Sequence, residues 1–140
     1  MWLVRTTWIV RAVLVAYAAA MLLVVAGPWG HALNRLTVRL YVQFRYTWPI
    51  APDWALPEHY GLLLNVLLFV PLGVGLALVT GWRWWQVCLA AAAASTALEL
   101  LQLVLPRDAD PVDVLTNTLG AAVGALVVTA CVRRPSRRGP

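Results

Sequence analysis

Long apolar runs separated by short polar breaks set the pattern of this chain. A hydrocarbon core about 30 Å thick needs roughly 20 apolar residues in a helix. Four segments reach that length, at about residues 8–26, 60–80, 84–105 and 112–132. The breaks Gly81-Trp82-Arg83 and Pro106-Arg107-Asp108-Ala109-Asp110-Pro111 are short and turn-rich. They predict that the second, third and fourth spans are antiparallel neighbours. Segment 27–59 is too apolar for a free linker. Within it Leu33, Leu36, Leu40 and Phe44 line one helical face, while His31, Arg35, Arg39 and Gln43 recur every fourth residue on another. This spacing predicts an amphipathic helix lying in the outer interface, between the first two spans. Val38 to Phe44 also alternates with period two, so a short strand is the alternative. Pro49, Pro52 and Pro57 end the element, and Pro57 suits a first helical turn.

Composition agrees with the membrane reading. Of 140 residues, 61% are hydrophobic and 12% charged, which leaves too little polar surface for a soluble domain. The expected fold is an all-α integral membrane protein: a four-helix transmembrane bundle forming one domain over residues 1–140. The net charge of +5 comes entirely from arginine. No aromatic-basic platform or groove-reading helix accompanies it, so nucleic acid is not an expected partner; membrane lipids are. With the N-terminus inside, seven of the eleven arginines (Arg5, Arg11, Arg83, Arg133, Arg134, Arg137 and Arg138) fall on the cytoplasmic side. Arg35, Arg39, Arg45 and Arg107 fall outside, so both termini are expected in the cytoplasm, with 133–140 as a basic tail. Trp8, Trp48, Trp54, Trp82, Trp84 and Trp85 then lie near the interfaces. A cleaved signal peptide is the alternative for the first span, since Arg5 and Arg11 precede an alanine-rich run. That run has no polar cleavage region, and three more spans follow it. Cys88 and Cys131 have no CxxC neighbour or metal-ligand spacing and read as small apolar residues.

Polar residues inside the spans carry the candidate chemistry. Glu99 stands in an otherwise apolar run, and an ionisable group at such depth costs about 2.5–3.5 kcal/mol on insertion scales. At 1.5 Å per residue Glu99 lies about 9 Å below the outer end of its span, and Asn65 and Asn117 about 8 Å below theirs. Ser95, Glu99 and Gln102 share one stripe, and Asp113, Thr116, Asn117, Gly120 and Gly124 share another. The Gly120/Gly124 pair permits close approach of another helix and would suit an oligomer. Pro71 removes a backbone donor below Asn65 and frees the Leu67 carbonyl. Structural readings stand beside the functional ones: interhelical hydrogen bonds for Asn65 and Asn117, an N-cap for Asp110, an interfacial anchor for Arg107, and for Glu99 a protonated or Arg107-paired bundle fastener.

The run Asn65-Val66-Leu67-Leu68-Phe69-Val70-Pro71-Leu72-Gly73 resembles the N-x-x-x-F-x-P-x-G signature of the VanZ-like family. Glu99-x-x-Gln102, then Arg107, then Asp113-x-x-x-Asn117-x-x-Gly120 resemble its second block. Pro111 at the start of the last span departs slightly from that pattern. The resemblance implies a bacterial inner-membrane protein of the cell envelope, related to an accessory factor in teicoplanin-type glycopeptide resistance.

The residues allow three functional readings. The first is an outward-facing binding site formed by Asn65, Glu99, Gln102, Arg107, Asp110, Asp113 and Asn117. It would hold an anionic or zwitterionic lipid-linked wall precursor, or a lipoglycopeptide, with arginine as a bidentate anion ligand. The second is an intramembrane enzyme on a similar substrate, with Glu99 as catalytic acid or base and Asp110 and Asp113 near a substrate-borne cation. The third is a proton-coupled carrier or scaffold, although the cytoplasmic halves of the spans offer no polar pathway. No resident metal or cofactor is expected.

Overall fold

The computed structural model describes residues 2–27, 29–104 and 110–132; the side chains of 2–7, 25–26, 30, 102–104 and 132 lie outside that description. Five α-helices follow one another: α1 (Trp2–Ala26), α2 (Gly30–Val42), α3 (Pro57–Thr80), α4 (Trp84–Val104) and α5 (Pro111–Val132). Among the described residues there is no strand. Three helices, α3, α4 and α5, are long and apolar enough to cross a membrane. In α1, which runs 25 residues, the described apolar stretch is Trp8–Val24. The structure is thus an all-helical bundle of membrane type.

The expected chain order does not predict the packing order. α3 and α4 are joined by only three residues, with Gly81 in the left-handed region (φ 70°) ending α3. Yet they scarcely touch, because α5 packs between them and contacts both along its length. Small residues make this possible. A side chain on Gly120 would meet the Val66 carbonyl, one on Gly124 the Val70 carbonyl, and one on Gly73 the backbone of Ala121. These backbone contacts advance along both helices together, so α3 and α5 are parallel partners. The Gly120/Gly124 face expected to serve an oligomer is therefore consumed within the chain. Ala77, Val87, Ala91, Ala121, Ala125 and Val128 form the buried core around this seam.

α1 leans mainly on α3. Leu14 packs over Gly75, and the Tyr17 hydroxyl donates to the Leu68 carbonyl at 2.5 Å. Pro71 lacks the amide that would bond the Leu67 carbonyl four residues back, and α3 nevertheless continues as one helix through it. The hydrogen bond from α1 thus arrives one residue beyond the carbonyl that the proline is expected to free. Below it a groove of about 510 Å³, lined by Val13, Val70, Val74 and Leu78 among others, separates the two helices.

α2 ends the strand alternative: residues 38–42 are helical, and Gln43–Thr47 continue as a π-helical turn. Its inner face is Leu33, Thr37, Leu40, Tyr41 and Phe44, all half-buried, while His31, Arg35 and Arg39 point away. Leu36, expected on the inner face, is exposed instead, because the contact arc centres nearer Thr37. Phe44 stacks on Tyr60 of α3 (6.2 Å, 7° between planes), and Tyr41 meets the same ring edge-on. Arg45 pairs with Asp53 at 2.6 Å, and that carboxylate raises the guanidinium pKa above its ordinary value. The loop leaves Tyr46, Trp48, Ile50 and Trp54 exposed at the same end of the bundle. His59 then closes the start of α3, its Nδ1 accepting the Leu56 amide at 2.9 Å.

Candidate functional site

The polar positions of α3, α4 and α5 meet at the end of the bundle opposite Gly81. Antiparallel running of α4 and α5 pairs their residues in reverse order, so polar groups spaced one turn apart on each helix face one another in steps. At the outermost step the Glu99 carboxylate Oε2 accepts the backbone N–H of Asp110 at 2.9 Å. Asp110 itself is the N-cap of α5, as its position before Pro111 predicts. Its Oδ1 accepts the Val112 amide at 2.9 Å and its carbonyl the Asp113 amide at 2.9 Å. One turn into α5, Asp113 accepts a hydrogen bond from Asn65 Nδ2 at 2.7 Å, tying α3 to α5. One turn further in, Asn117 Nδ2 donates to Ser95 Oγ at 2.8 Å and ties α5 to α4.

Burial grades along this ladder. Asp110 is exposed, Glu99, Asn65 and Asp113 are half-buried, and Ser95 and Asn117 are buried. Glu99 therefore sits at the mouth of the seam and acts as an acceptor for a backbone donor. Its described partner is the backbone amide at the α5 N-terminus. The helix-dipole charge at that terminus gives the same carboxylate a second electrostatic reason to be there.

Of the residues expected to form a site, the structure brings together Asn65, Glu99, Asp110, Asp113 and Asn117. Arg107 lies outside the described residues, as does the side chain of Gln102. No group of three or more His, Cys, Asp and Glu side chains with metal-binding geometry occurs among the described residues. Glu99, Asp110 and Asp113 share one end of the seam but are directed to different donors. Two residues join the picture that carry little chemical signal in the sequence. Ser95 is on the predicted stripe, but a single serine in an alanine run is chemically ordinary until Asn117 is opposite it. Tyr17 resembles any aromatic within an apolar span, and the carbonyl that its hydroxyl meets, Leu68, lies on another helix.

Chemically, the arrangement offers oxygen acceptors and amide donors at one bundle end, with an aromatic and arginine-bearing collar from α2 and its loop beside it. Such a surface can hold a polar headgroup while the apolar flanks remain in lipid. Comparison with known proteins gives one positive result: the family model described as VanZ/LLP1 matches residues 12–132. No curated protein and no solved structure matches the chain. The match runs from the first helix through α5 and takes in the whole polar ladder, and the chain therefore belongs to the VanZ/LLP1 family.

Proposed function

We propose that this chain is a bacterial inner-membrane protein of the cell envelope, with both termini cytoplasmic, that binds the headgroup of a lipid-linked ligand at the outward-facing end of α3, α4 and α5. The ligand class is an anionic or zwitterionic lipid-linked wall precursor, or a lipoglycopeptide of the teicoplanin type, which links the site to glycopeptide resistance. One observation carries the reading: Asn65, Glu99, Asp110 and Asp113, from three separate segments, converge on one bundle end. A ladder needed only to fasten helices would gain as much from apolar contacts, since interhelical hydrogen bonds average about 0.6 kcal/mol in bilayers. Arg107, within the α4–α5 connection, supplies the cation for a phosphate or carboxylate. Glu99 and Asp113 supply the counter-charge for an ammonium on the same headgroup.

Native mass spectrometry of the full chain, extracted with its lipids, tests this directly. Wild-type protein is expected to retain a phosphate- or carboxylate-bearing lipid, and Arg107→Gln and Glu99→Gln to retain it several-fold less at unchanged thermal stability. Equal retention by all three proteins would refute the site.

A further inference from the structure

The Ser95–Asn117 pair is the innermost contact of the ladder, and it is incomplete. Ser95 is 1% and Asn117 5% exposed. The Asn117 amide spends its nitrogen on Ser95, while its Oδ1 is fully buried and meets no donor among the described residues. A buried acceptor without a partner costs about 1–3 kcal/mol, and a membrane interior has no bulk water to relieve it. Nor do the described residues one turn away on either helix offer a side-chain donor. One turn deeper on each helix stand Ala91 and Ala121, both buried and apolar. One turn outward stand Glu99 and Asp113, which serve the ladder as acceptors.

We infer that the Ser95–Asn117 pair is a binding site for a single O–H group that comes from outside the chain. Two requirements select that chemistry. The occupant must be small, because α4 and α5 are closely packed at this level. It must also serve the amide whichever way its oxygen and nitrogen are turned, since exchanging them converts the orphan acceptor into an orphan donor. A hydroxyl donates and accepts. A cation or ammonium satisfies only the first orientation, and a phosphate only the second. The O–H group belongs to a water molecule or to a hydroxyl on a bound headgroup. It enters from the Glu99 end, where the polar groups continue to the surface; the opposite direction is closed by alanine. The seam is thus wet for one turn past Glu99, which keeps that carboxylate hydrated within the bundle.

This site does not depend on the headgroup reading, because water alone fulfils it. The chain has three asparagines, Asn34, Asn65 and Asn117, so selective ¹⁵N-asparagine labelling gives three side-chain signals. Asn34→Gln and Asn65→Gln assign them by the loss of one signal each. In phosphatidylcholine bilayers, whose headgroup has no hydroxyl, solid-state NMR transfer from water protons to the Asn117 amide is expected. Its build-up should lie within about threefold of that at exposed Asn34, as for an ordered water held by polar partners. In bilayers containing phosphatidylglycerol, replacement of that transfer by a contact to glycerol protons assigns the hydroxyl to the headgroup; persistence assigns it to water. Absence of either transfer at Asn117, with Asn34 building up normally, overturns the site.

Discussion

Asn65 and Asp113 stand 48 positions apart and bond at 2.7 Å, tying α3 to α5. Their contribution is separable from that of Glu99. Asn65→Ala is expected to lower stability in detergent-denaturation assays by about 1 kcal/mol, a typical value for one interhelical bond. Asp113→Asn keeps an acceptor oxygen and is expected to cost less than half of that; equal losses would show that charge, not acceptance, holds the pair. Glu99 gives a sharper division. Glu99→Gln retains a carbonyl oxygen for the Asp110 amide, so the start of α5 should stay docked, whereas Glu99→Ala should free it and cost about 1–2 kcal/mol as an unmade bond to a charged group. Hydrogen exchange at Asp110 reads the difference, with fast exchange expected only in the alanine variant. The sequence makes the polar positions visible because an ionisable or amide group in an apolar run is energetically conspicuous. Their partners are not visible there, since partnership depends on the register between helices. Glu99 illustrates this: its depth in the run is legible, but the backbone amide it receives belongs to a helix start that reaches down beside it.

Apolar runs and breaking residues identify α3, α4 and α5 to within a few residues, because lipid leaves a helix as the only way to satisfy their backbone. Pairing is a different matter. Short connections argue for neighbours in chain order, and the three residues between α3 and α4 fit that logic. Surface shape decides otherwise. Gly73, Gly120 and Gly124 remove side chains where two backbones meet, so α5 fits α3 more closely than α4 can. The same glycines predict the response to substitution. Gly120→Val and Gly124→Val place carbon against the Val66 and Val70 carbonyls and are expected to destabilise the bundle by about 2 kcal/mol or more through overpacking. Gly75→Ala meets only the tip of Leu14, beside the α1–α3 groove, and is expected to cost less than about 1 kcal/mol because that side chain can turn aside. Thermal unfolding of the three variants in one detergent checks the order, and a Gly75→Ala loss matching the other two would contradict it. For α2 the helical period is legible, yet the face that docks is displaced toward Thr37 and Tyr41. Aromatic contacts with Tyr60 set that rotation, and a period alone contains no information about a ring on another helix.

At the scale of the molecule the bundle divides into a tight unit and a loosely attached helix. α3, α5 and α4 share the small-residue seam, the buried core and every step of the polar ladder. α1 touches that unit mainly through α3, with Leu14 over Gly75, the Tyr17–Leu68 hydrogen bond and a groove of about 510 Å³ between them. Local stability follows contact density, so the two parts should open at different free energies. Hydrogen exchange of the full chain in lipid nanodiscs is expected to show amides near Tyr17 exchanging at least about tenfold faster than those near Ala121, a gap of about 1.4 kcal/mol in opening free energy. Tyr17→Phe removes the hydrogen bond that ties α1 to α3 and should widen the gap on the α1 side while leaving α5 protection unchanged. The ladder from Glu99 to Asn117 would then keep its geometry, since its described hydrogen bonds join α3, α4 and α5. If Tyr17→Phe instead lowers protection equally in α1 and α5, the helices form one cooperative unit and the division fails. A separable α1 also has a functional consequence: ligand retention at the Glu99 end should survive Tyr17→Phe, because the headgroup site rests on the tight unit alone.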